Sequence, residues 1–451
     1  MSVTAWLRRS VVEPLWAAAS GTPRRRAWLE LERSQYLPGA VLQERQAERL
    51  RMLVQAAARD CPFYARRLAE AGVRPSDIRG PDDLAKIPVL TKRDVRANAA
   101  DMLSRATRRD ALMEFRTGGS TGTPLVLFIT EEVSEQRNAA ARRSNRWTGW
   151  EVGEPVAAVW GNPKLPATLK AVLRQHLLEP VLYLDTMAVT DEAVAAFAAG
   201  WRRLRPTLLF GHAHSLYLLA RIVRDRAIDG IRPRGILSTS MMLLSHERRT
   251  IESVFGVRVF DRYGCEEVGL IGCECEQHAG MHVNIDHLVV EFLAPDGRPV
   301  GPGETGHVVV TDLLNHAMPF IRYRVEDLAA PVASGCSCGR GLPLMSGVVG
   351  RTADFLVRLD GTRVAGVSLI ENSLTRFGGI EQMQIVQDDA DRIRLRLVPG
   401  VGFEEHALAP LTAYFAATFP GARIDVELVD EIPREPNGKF RFAICRIPDT
   451  R

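Results

Sequence analysis

Residues 156–260 carry the pattern that decides the fold class. Short apolar runs occur there at VAAVW (156–160), LLF (208–210), IL (236–237) and VRVF (257–260). Helical stretches such as 189–205 and 215–226 lie between these runs. Regular alternation of buried strands with helices is typical of a largely parallel sheet covered by helices. We therefore predict an α/β architecture for the centre of the chain.

The two ends of the chain differ from this centre. Residues 41–72 show apolar side chains at helical spacing and predict one amphipathic helix. Beyond residue 280 short β-rich runs replace the alternation, and the last hundred residues combine strands with one helix. We predict a large N-terminal domain (1–349) with a β subdomain at about 270–349, followed by a small C-terminal α+β domain (350–451).

Composition narrows the class of protein. A net charge of +4 on 451 residues is too small to indicate a nucleic-acid partner. The hydrophobic fraction of 46% with 25% charged residues excludes intrinsic disorder. No stretch approaches the roughly 18 apolar residues of a membrane span, so no membrane partner is expected. Residues 1–26 contain several charges and no clean apolar core, so we expect a cytoplasmic protein.

A glycine-rich loop, TGGSTGTP (117–124), precedes the apolar run 125–129. Glycines allow the backbone to approach a ligand closely, and consecutive N–H groups and hydroxyls can surround phosphate oxygens. The loop lacks the Gly-Lys-Ser/Thr ending of a Walker motif. A plain turn between strands is the alternative interpretation.

Two further motifs carry carboxylates. DRYGCEEVG (261–269) places Glu266 and Glu267 after a Tyr-Gly pair, and carboxylate oxygens are suitable ligands for Mg²⁺. In FIRYRVEDL (320–328), Asp327 ends a short strand, where it could accept both hydroxyls of a ribose. Taken singly, Glu266 and Glu267 are more typical of solvated surface residues, and the alternative for Asp327 is a surface ion pair with Arg324.

A turn near the C-terminus presents a lysine. In PREPNGK (433–439), proline and Asn-Gly favour a turn that ends at Lys439. The chain contains only five lysines and many arginines, so a lysine here indicates a need for a compact point charge. The alternative is an ordinary exposed turn lysine.

Five of the seven cysteines lie between residues 265 and 338. Cys275 with His278 (C-x-x-H) and Cys336 with Cys338 (C-x-C) supply the four ligands of a tetrahedral Zn²⁺ site. Cys273 and His282 are alternative ligands, and reduced, buried cysteines without metal are the other interpretation.

These motifs stand in an order that resembles the adenylate-forming superfamily, and more closely its phenylacetate-CoA ligase and CapK-like branch. The resemblance extends over nearly the whole chain. It rests on segments 61–64, 83–92, 118–124, 263–267, 322–327, on Gly350-Arg351 with Asp354, and on 433–439. It implies the acyl-adenylate-forming fold, in which the small C-terminal domain is a mobile lid that hinges near 354–358.

The resemblance also implies a role for each matching residue. The β- and γ-phosphates of ATP would be held by Ser120, Thr121, Gly122 and Thr123. Ser240, Tyr263 and Gly264 would flank the adenine, while Asp327 and Arg351 would bind the ribose. Glu267, preceded by Glu266, would ligate Mg²⁺, and Lys439 would bridge the carboxylate and the α-phosphate. The acyl pocket would be lined by Trp160, Phe210, His212 and Met241.

The implied function is activation of a carboxylic acid, aromatic or hydrophobic, with ATP to an acyl-adenylate, followed by transfer to coenzyme A. Transfer to an amine, or a degenerate fold that only binds a nucleotide, are the alternatives, and a homodimer is left open. Two differences from the family pattern favour the alternative of a fold that only binds a nucleotide. Thr123 stands where many family members have lysine, and Glu266 stands where many have serine or threonine. The Zn²⁺ site would be structural, as in part of this branch.

Overall fold

The computed structural model describes residues 3–116, 125–161, 169–333, 335–348, 351–353, 355–400, 402–433 and 440–447. The helices are α1 (Val3–Leu7), α2 (Glu13–Ser20), α3 (Arg24–Ser34), α4 (Gly39–Asp60), α5 (Pro62–Glu70), α6 (Lys92–Asn98), α7 (Glu131–Trp147), α8 (Leu169–Leu177), α9 (Asp191–Leu204), α10 (Ala213–Asp225), α11 (Ser245–Phe255), α12 (Gly366–Arg376) and α13 (Leu408–Thr418). A π-helical turn, Arg8–Val12, joins α1 to α2, and short 3₁₀ turns lie at Pro75–Asp77, Pro81–Lys86, Arg109–Ala111 and Glu405–Ala407.

The first strands are β1 (Leu112–Arg116), β2 (Val126–Thr130), β3 (Val156–Trp160), β4 (Val181–Asp185), β5 (Leu208–His212), β6 (Gly235–Thr239), β7 (Val259–Cys265), β8 (Gly269–Glu274), β9 (Met281–Val283), β10 (Leu288–Leu293) and β11 (Gly306–Asp312). The later strands are β12 (Tyr323–Ala329), β13 (Pro331–Val332), β14 (Leu344–Met345), β15 (Arg351–Ala353), β16 (Phe355–Val357), β17 (Arg363–Ala365), β18 (Ile380–Asp389), β19 (Arg392–Pro399), β20 (Arg423–Leu428) and β21 (Phe440–Cys445).

A central sheet confirms the predicted α/β architecture. Within the described residues its order is β13-β14-β9-β8-β7-β6-β5-β3-β4. Strands β3 to β7 pair in parallel, with helices in the crossovers. Apolar residues fill both faces: one core includes Leu209 and Ile236 with helices α9 and α10, and another includes Leu208 and Leu237 with α3 and α7.

The region after β7 differs in part from the prediction of a separate β subdomain. Strands β8, β9, β14 and β13 extend the central sheet in antiparallel fashion. Only β10, β11 and β12 form a sheet of their own. The reason is that the chain turns within the 261–269 motif, so that β8 pairs antiparallel with β7. Cys275 follows β8 and Cys338 precedes β14, so both cysteines lie beside strands of the central sheet.

The predicted single helix at 41–72 is two helices, α4 and α5. Cys61 between them is extended (φ −112°, ψ 110°), and Pro62 occupies the first position of α5. Proline lacks an N–H donor and clashes with the preceding helical turn, so α4 ends before it and α5 begins there. The apolar residues keep their helical spacing across this break, which is why the sequence pattern predicted one helix.

The C-terminal part has the predicted strands and the predicted helix, α13, together with a second helix, α12, that was not predicted. Its sheet runs β15-β21-β18-β19-β20 in the described residues, with α13 beside β20. It packs on the large domain: the Oγ1 of Thr186 and the Oγ of Ser368 lie 2.9 Å apart, and the ring of Phe355 lies 5.4 Å from that of His214. The boundary at residue 350 and the hinge stay predictions.

Candidate active site

The carboxyl ends of the parallel strands bring several predicted residues to one edge of the central sheet. Trp160 ends β3, His212 ends β5, and Ser240 follows β6. Ser240 has a positive φ of 66°, a conformation that costs a non-glycine residue energy. In open α/β sheets ligands bind outside the carboxyl ends of strands, so this edge is the candidate active site.

Three of the predicted acyl-pocket residues form one aromatic cluster. The ring of Trp160 stacks on Phe210 with centroids 5.2 Å apart and an interplanar angle of 9°. The same indole lies 3.9 Å from the ring of His212. The guanidinium of Arg262, on strand β7, lies 4.9 Å from the centroid of the Phe210 ring. Met241 is half-buried and packs against the core that includes α9 and α10.

His212 is a buried neutral base. It has no solvent exposure, and neither ring nitrogen has a hydrogen-bond partner among the described residues. Burial lowers the pKa of His212 to about 3, because desolvation disfavours the imidazolium. An unpaired imidazole at the strand ends is suited to meet a polar group of a ligand.

The protonation of His212 predicts how stability depends on pH. Its pKa lies at about 3 in the folded protein, against 6.5 for the ordinary side chain. Below pH 6.5 the unfolded chain therefore binds a proton that the folded chain does not, and stability falls as the pH falls. Between pH 7 and 5 this loss amounts to about 2 kcal/mol.

We expect the variant His212→Gln to lose this part of the acid destabilisation in urea unfolding at pH 7 and 5. The control is His406→Gln, since the His406 ring is exposed on the surface. Equal pH slopes for wild type and His212→Gln would show that His212 is not the buried base described here.

Two tyrosine–carboxylate pairs join β7 and the turn that follows it to β12. The hydroxyl of Tyr263 donates to Asp327 Oδ2 at 3.0 Å, and that of Tyr323 donates to Glu267 Oε1 at 2.9 Å. Both carboxylates are buried. The structure thus brings the predicted metal ligand and the predicted ribose ligand to neighbouring positions on one side of the site.

The turn between β7 and β8 depends on Gly264. A Cβ atom at this position would lie 2.6 Å from the carbonyl oxygen of Gly269. Only glycine permits that approach of the two strands. The neighbouring side chain of Glu266 is exposed, whereas Glu267 points inward.

Arg137 on α7 holds the same turn and was missed by the sequence analysis. Its guanidinium donates to the carbonyl oxygens of Glu266 (3.1 Å) and Glu267 (2.7 Å) and to Asp312 Oδ2 (2.7 Å). Asp312 is fully buried. No signal marks Arg137 in the sequence, because arginine is the common basic residue throughout this chain.

Several predicted residues lie outside the described residues. They are the phosphate-loop residues Ser120, Thr121, Gly122 and Thr123, the lid residue Asp354, and Lys439. Arg351 lies in β15, which pairs in parallel with β21. The roles of these residues therefore stay predictions.

Four candidate metal ligands meet beside the central sheet. They are Cys275, His282, Cys336 and Cys338, whose ligand atoms all lie within 4.8 Å of one another. The sulfurs of Cys275 and Cys336 are 3.6 Å apart, and Cys338 Sγ is 3.2 Å from His282 Nε2. Tetrahedral zinc would hold such atoms about 3.5–3.8 Å apart.

His278, predicted as the imidazole ligand, is replaced in this cluster by His282. The Nδ1 of His278 lies 3.1 Å from Glu274 Oε2, and its ring lies 4.6 Å from that of Phe260. His282 is on β9, which pairs with β14 and so faces the segment that carries Cys336 and Cys338. Cys273, the other alternative, is buried in β8 with its Sγ near the Glu274 carbonyl.

The surroundings of the cluster suit a metal. His282 donates from Nδ1 to the Leu342 carbonyl at 3.1 Å, which leaves Nε2 as the acceptor facing Cys338. Burial lowers the pKa of His282 to about 4 and keeps the ring neutral. The backbone N–H groups of Gln277 and Arg340 donate to Cys275 and Cys338 at 3.5 and 3.4 Å.

Comparison with known proteins supports this class of fold. Residues 356–446 match the family model of the CapK C-terminal domain. A structure of 2-hydroxyisobutyryl-CoA ligase in complex with 2-HIB-AMP and CoA covers 92% of this chain and 92% of its own, with 22% identity and a TM-score of 0.64. The fold is therefore that of the adenylate-forming enzymes.

Sequence relatives identify the branch. The phenylacetate-coenzyme A ligase of Thermus thermophilus is 30% identical over 331 residues, which cover 71% of this chain and 73% of that protein. The Escherichia coli enzyme of the same name is 26% identical over 74% of this chain and 76% of its own length. Protein CapK of Staphylococcus aureus is 23% identical over 81% of each chain. The chain belongs to the phenylacetate-CoA ligase family.

Proposed function

We propose that this protein is an AMP-forming acyl-CoA ligase, which activates a carboxylic acid with ATP to an acyl-adenylate, releases pyrophosphate and transfers the acyl group to coenzyme A. The observation that carries the proposal is the pair of buried carboxylates, Glu267 and Asp327, fixed by Tyr323 and Tyr263 at the edge of the sheet where ligands bind. Membership of the phenylacetate-CoA ligase family supplies the reaction class.

The nucleotide is recognised by residues from several elements. In the proposed arrangement Asp327, with Arg351, accepts the ribose hydroxyls, and Ser240, Tyr263 and Gly264 border the adenine. The loop residues Ser120 to Thr123 surround the β- and γ-phosphates with N–H and hydroxyl donors. The hydroxyl of Tyr263 already holds Asp327 in place, so the ribose meets an acceptor of fixed orientation.

The reaction needs positive charge where the phosphates separate. Attack of a carboxylate on the α-phosphate builds negative charge, which positioned cations stabilise. Bound Mg²⁺ would supply one such charge, and Glu267 would hold it. Lys439 supplies the second charge when the C-terminal lid closes. Tyr323 and Arg137 position the turn that carries Glu267.

The acid is aromatic or otherwise hydrophobic. The rings of Trp160 and Phe210 form an apolar wall. The half-buried Met241, shortly after β6, would add a further apolar side chain. The neutral, buried His212 beside Trp160 adds one hydrogen-bonding group to that wall. We infer that a polar substituent on the acid pairs with this imidazole.

The Zn²⁺ site is structural. Cys275, His282, Cys336 and Cys338 provide four protein ligands, which leaves no open position for catalysis. Zinc there would join the turn after β8 to the segment before β14. The metal would thereby fix the positions of β8, β9 and β14, the antiparallel strands that follow β7 in the central sheet.

The proposed function is tested by acid-dependent exchange of labelled pyrophosphate into ATP across a panel of carboxylic acids. Exchange that requires an acid and Mg²⁺ is expected, and adding CoA should then produce AMP and a thioester. Product formation with amines and none with CoA would show an amide ligase. Absence of exchange with every acid of the panel, in protein that binds ATP, would identify a nucleotide-binding fold without catalysis.

A further inference from the structure

The N-terminal helical segment, residues 3–20, has its three charged side chains, Arg8, Arg9 and Glu13, paired with the large domain. Arg8 donates to the Gly153 carbonyl at 3.3 Å, and Arg9 forms an ion pair with Glu151 at 2.8 Å. Glu13 is buried and pairs with Arg142 on α7. Charged residues thus attach this segment to the large domain.

Five large apolar side chains of the segment are exposed, whereas Ala5 is buried and Trp16 is half-buried. The exposed fractions are Val3 76%, Trp6 50%, Leu7 43%, Val11 40% and Leu15 65%. We call these five residues the apolar stripe, because four of them recur every fourth residue along the helix. A surface helix of a soluble domain shows the reverse pattern, with its apolar face on the core. A contiguous exposed apolar patch of this kind marks an interaction surface.

A basic groove adjoins the apolar stripe. It lies between α2, α3 and the start of α4 and has a volume of about 710 Å³. Pro14, Ala17 and Ala18, next to Leu15 in α2, form its apolar side. The arginines that line it are Arg25, Arg26, Arg33 and Arg45. Within the described part of the chain these four form no salt bridge, and the groove's acid, Glu30, is already 3.8 Å from Arg49.

We propose that the apolar stripe and the basic groove together dock the protein on the surface of a bilayer that contains acidic phospholipids. The stripe enters the boundary between headgroups and acyl chains, and the groove arginines pair with lipid phosphates. This combination of an apolar helix face with nearby cations is what interfacial membrane binding requires. A second copy of the chain is a poorer occupant, because a symmetric contact would bring two basic grooves together.

This inference goes beyond the sequence expectation of no membrane partner, which rested on the lack of a spanning segment. None of the described helices combines the length and apolar character needed to cross a membrane. Binding at the surface requires no such helix. It is also independent of the proposed ligase function, since no residue of the candidate active site takes part.

The experiment is co-flotation of the full chain with vesicles of phosphatidylcholine containing phosphatidylglycerol, and with vesicles of phosphatidylcholine alone. We expect binding to the acidic vesicles that weakens as salt is raised. The double variant Leu7→Glu/Leu15→Glu should lower the vesicle partition coefficient by more than about tenfold, because it places charge in the inserted face. Arg33→Glu/Arg45→Glu should lower binding to acidic vesicles only.

The matched control is Leu428→Glu, which changes a leucine of 45% exposure on β20, far from the stripe in sequence. Its vesicle binding should equal that of the wild type, and circular dichroism of every variant should show the native fold. Failure of the wild type to float with either vesicle would overturn the proposal. So would sedimentation showing a dimer that Leu7→Glu/Leu15→Glu converts to monomers, since that result assigns the stripe to a second copy.

Discussion

Replacing Glu267 by glutamine lowers acid-dependent pyrophosphate exchange by about 100- to 1000-fold, the range expected when one preorganised electrostatic group is removed from a transition state. Glutamine preserves the size of the side chain and can still accept the hydrogen bond from Tyr323. The change therefore removes the negative charge while leaving the packing in place. The measurement is the exchange rate at saturating acid, over a series of Mg²⁺ concentrations.

The control for this variant is Glu192→Gln, an exposed glutamate in the first turn of α9. It should retain wild-type exchange. If Glu267→Gln also exchanged at the wild-type rate at every Mg²⁺ concentration, the assignment of Glu267 as the metal ligand would be wrong. Tyr323→Phe should give a smaller loss, since it frees the carboxylate without neutralising it.

Removal of zinc produces the second large effect. We expect purified protein to contain about one equivalent of zinc, and Cys338→Ser to contain almost none. The melting temperature of the variant should fall by about 10 °C, because the metal's binding free energy stabilises only the folded chain. Metal analysis by plasma emission and thermal unfolding provide the two measurements.

Cys445→Ser is the matched control, since Cys445 lies in β21 of the C-terminal sheet. It should keep its zinc and melt close to the wild type. His282→Ala should lose zinc, and His278→Ala should keep it, which separates the two histidines directly. Less than about half an equivalent of zinc in the wild-type protein would contradict a structural zinc site.

The sequence predicts the central fold well because its signal is local. Apolar runs separated by helices between residues 156 and 260 correspond to β3, β5, β6 and β7 of the parallel sheet. The break at Pro62 and the attachment of β8 and β9 to the central sheet were not predicted. Both depend on backbone geometry and strand pairing that hydrophobic periodicity does not encode.

In the candidate site, too, the sequence predicted residues from motifs but not the contacts that depend on strand pairing. The order of the motifs predicted site roles for Tyr263, Glu267 and Asp327. In the structure the hydroxyl of Tyr263 lies 3.0 Å from Asp327 Oδ2, although the two residues are 64 positions apart in the sequence. The zinc prediction named three of the four clustered ligands. Spacing favoured His278, whereas the pairing of β9 with β14 brings His282 to the cysteines. Only the folded sheet distinguishes the two histidines.

The most direct measurement of the proposed chemistry follows the oxygen atoms of the acid. With a carboxylic acid labelled with ¹⁸O in both carboxyl oxygens, ATP and CoA, we predict that AMP acquires one labelled oxygen for each thioester formed, as attack of the carboxylate on the α-phosphate demands. Label found in inorganic phosphate, with ADP as the nucleotide product, would mean that the acid attacks a different phosphate and that no acyl-adenylate forms.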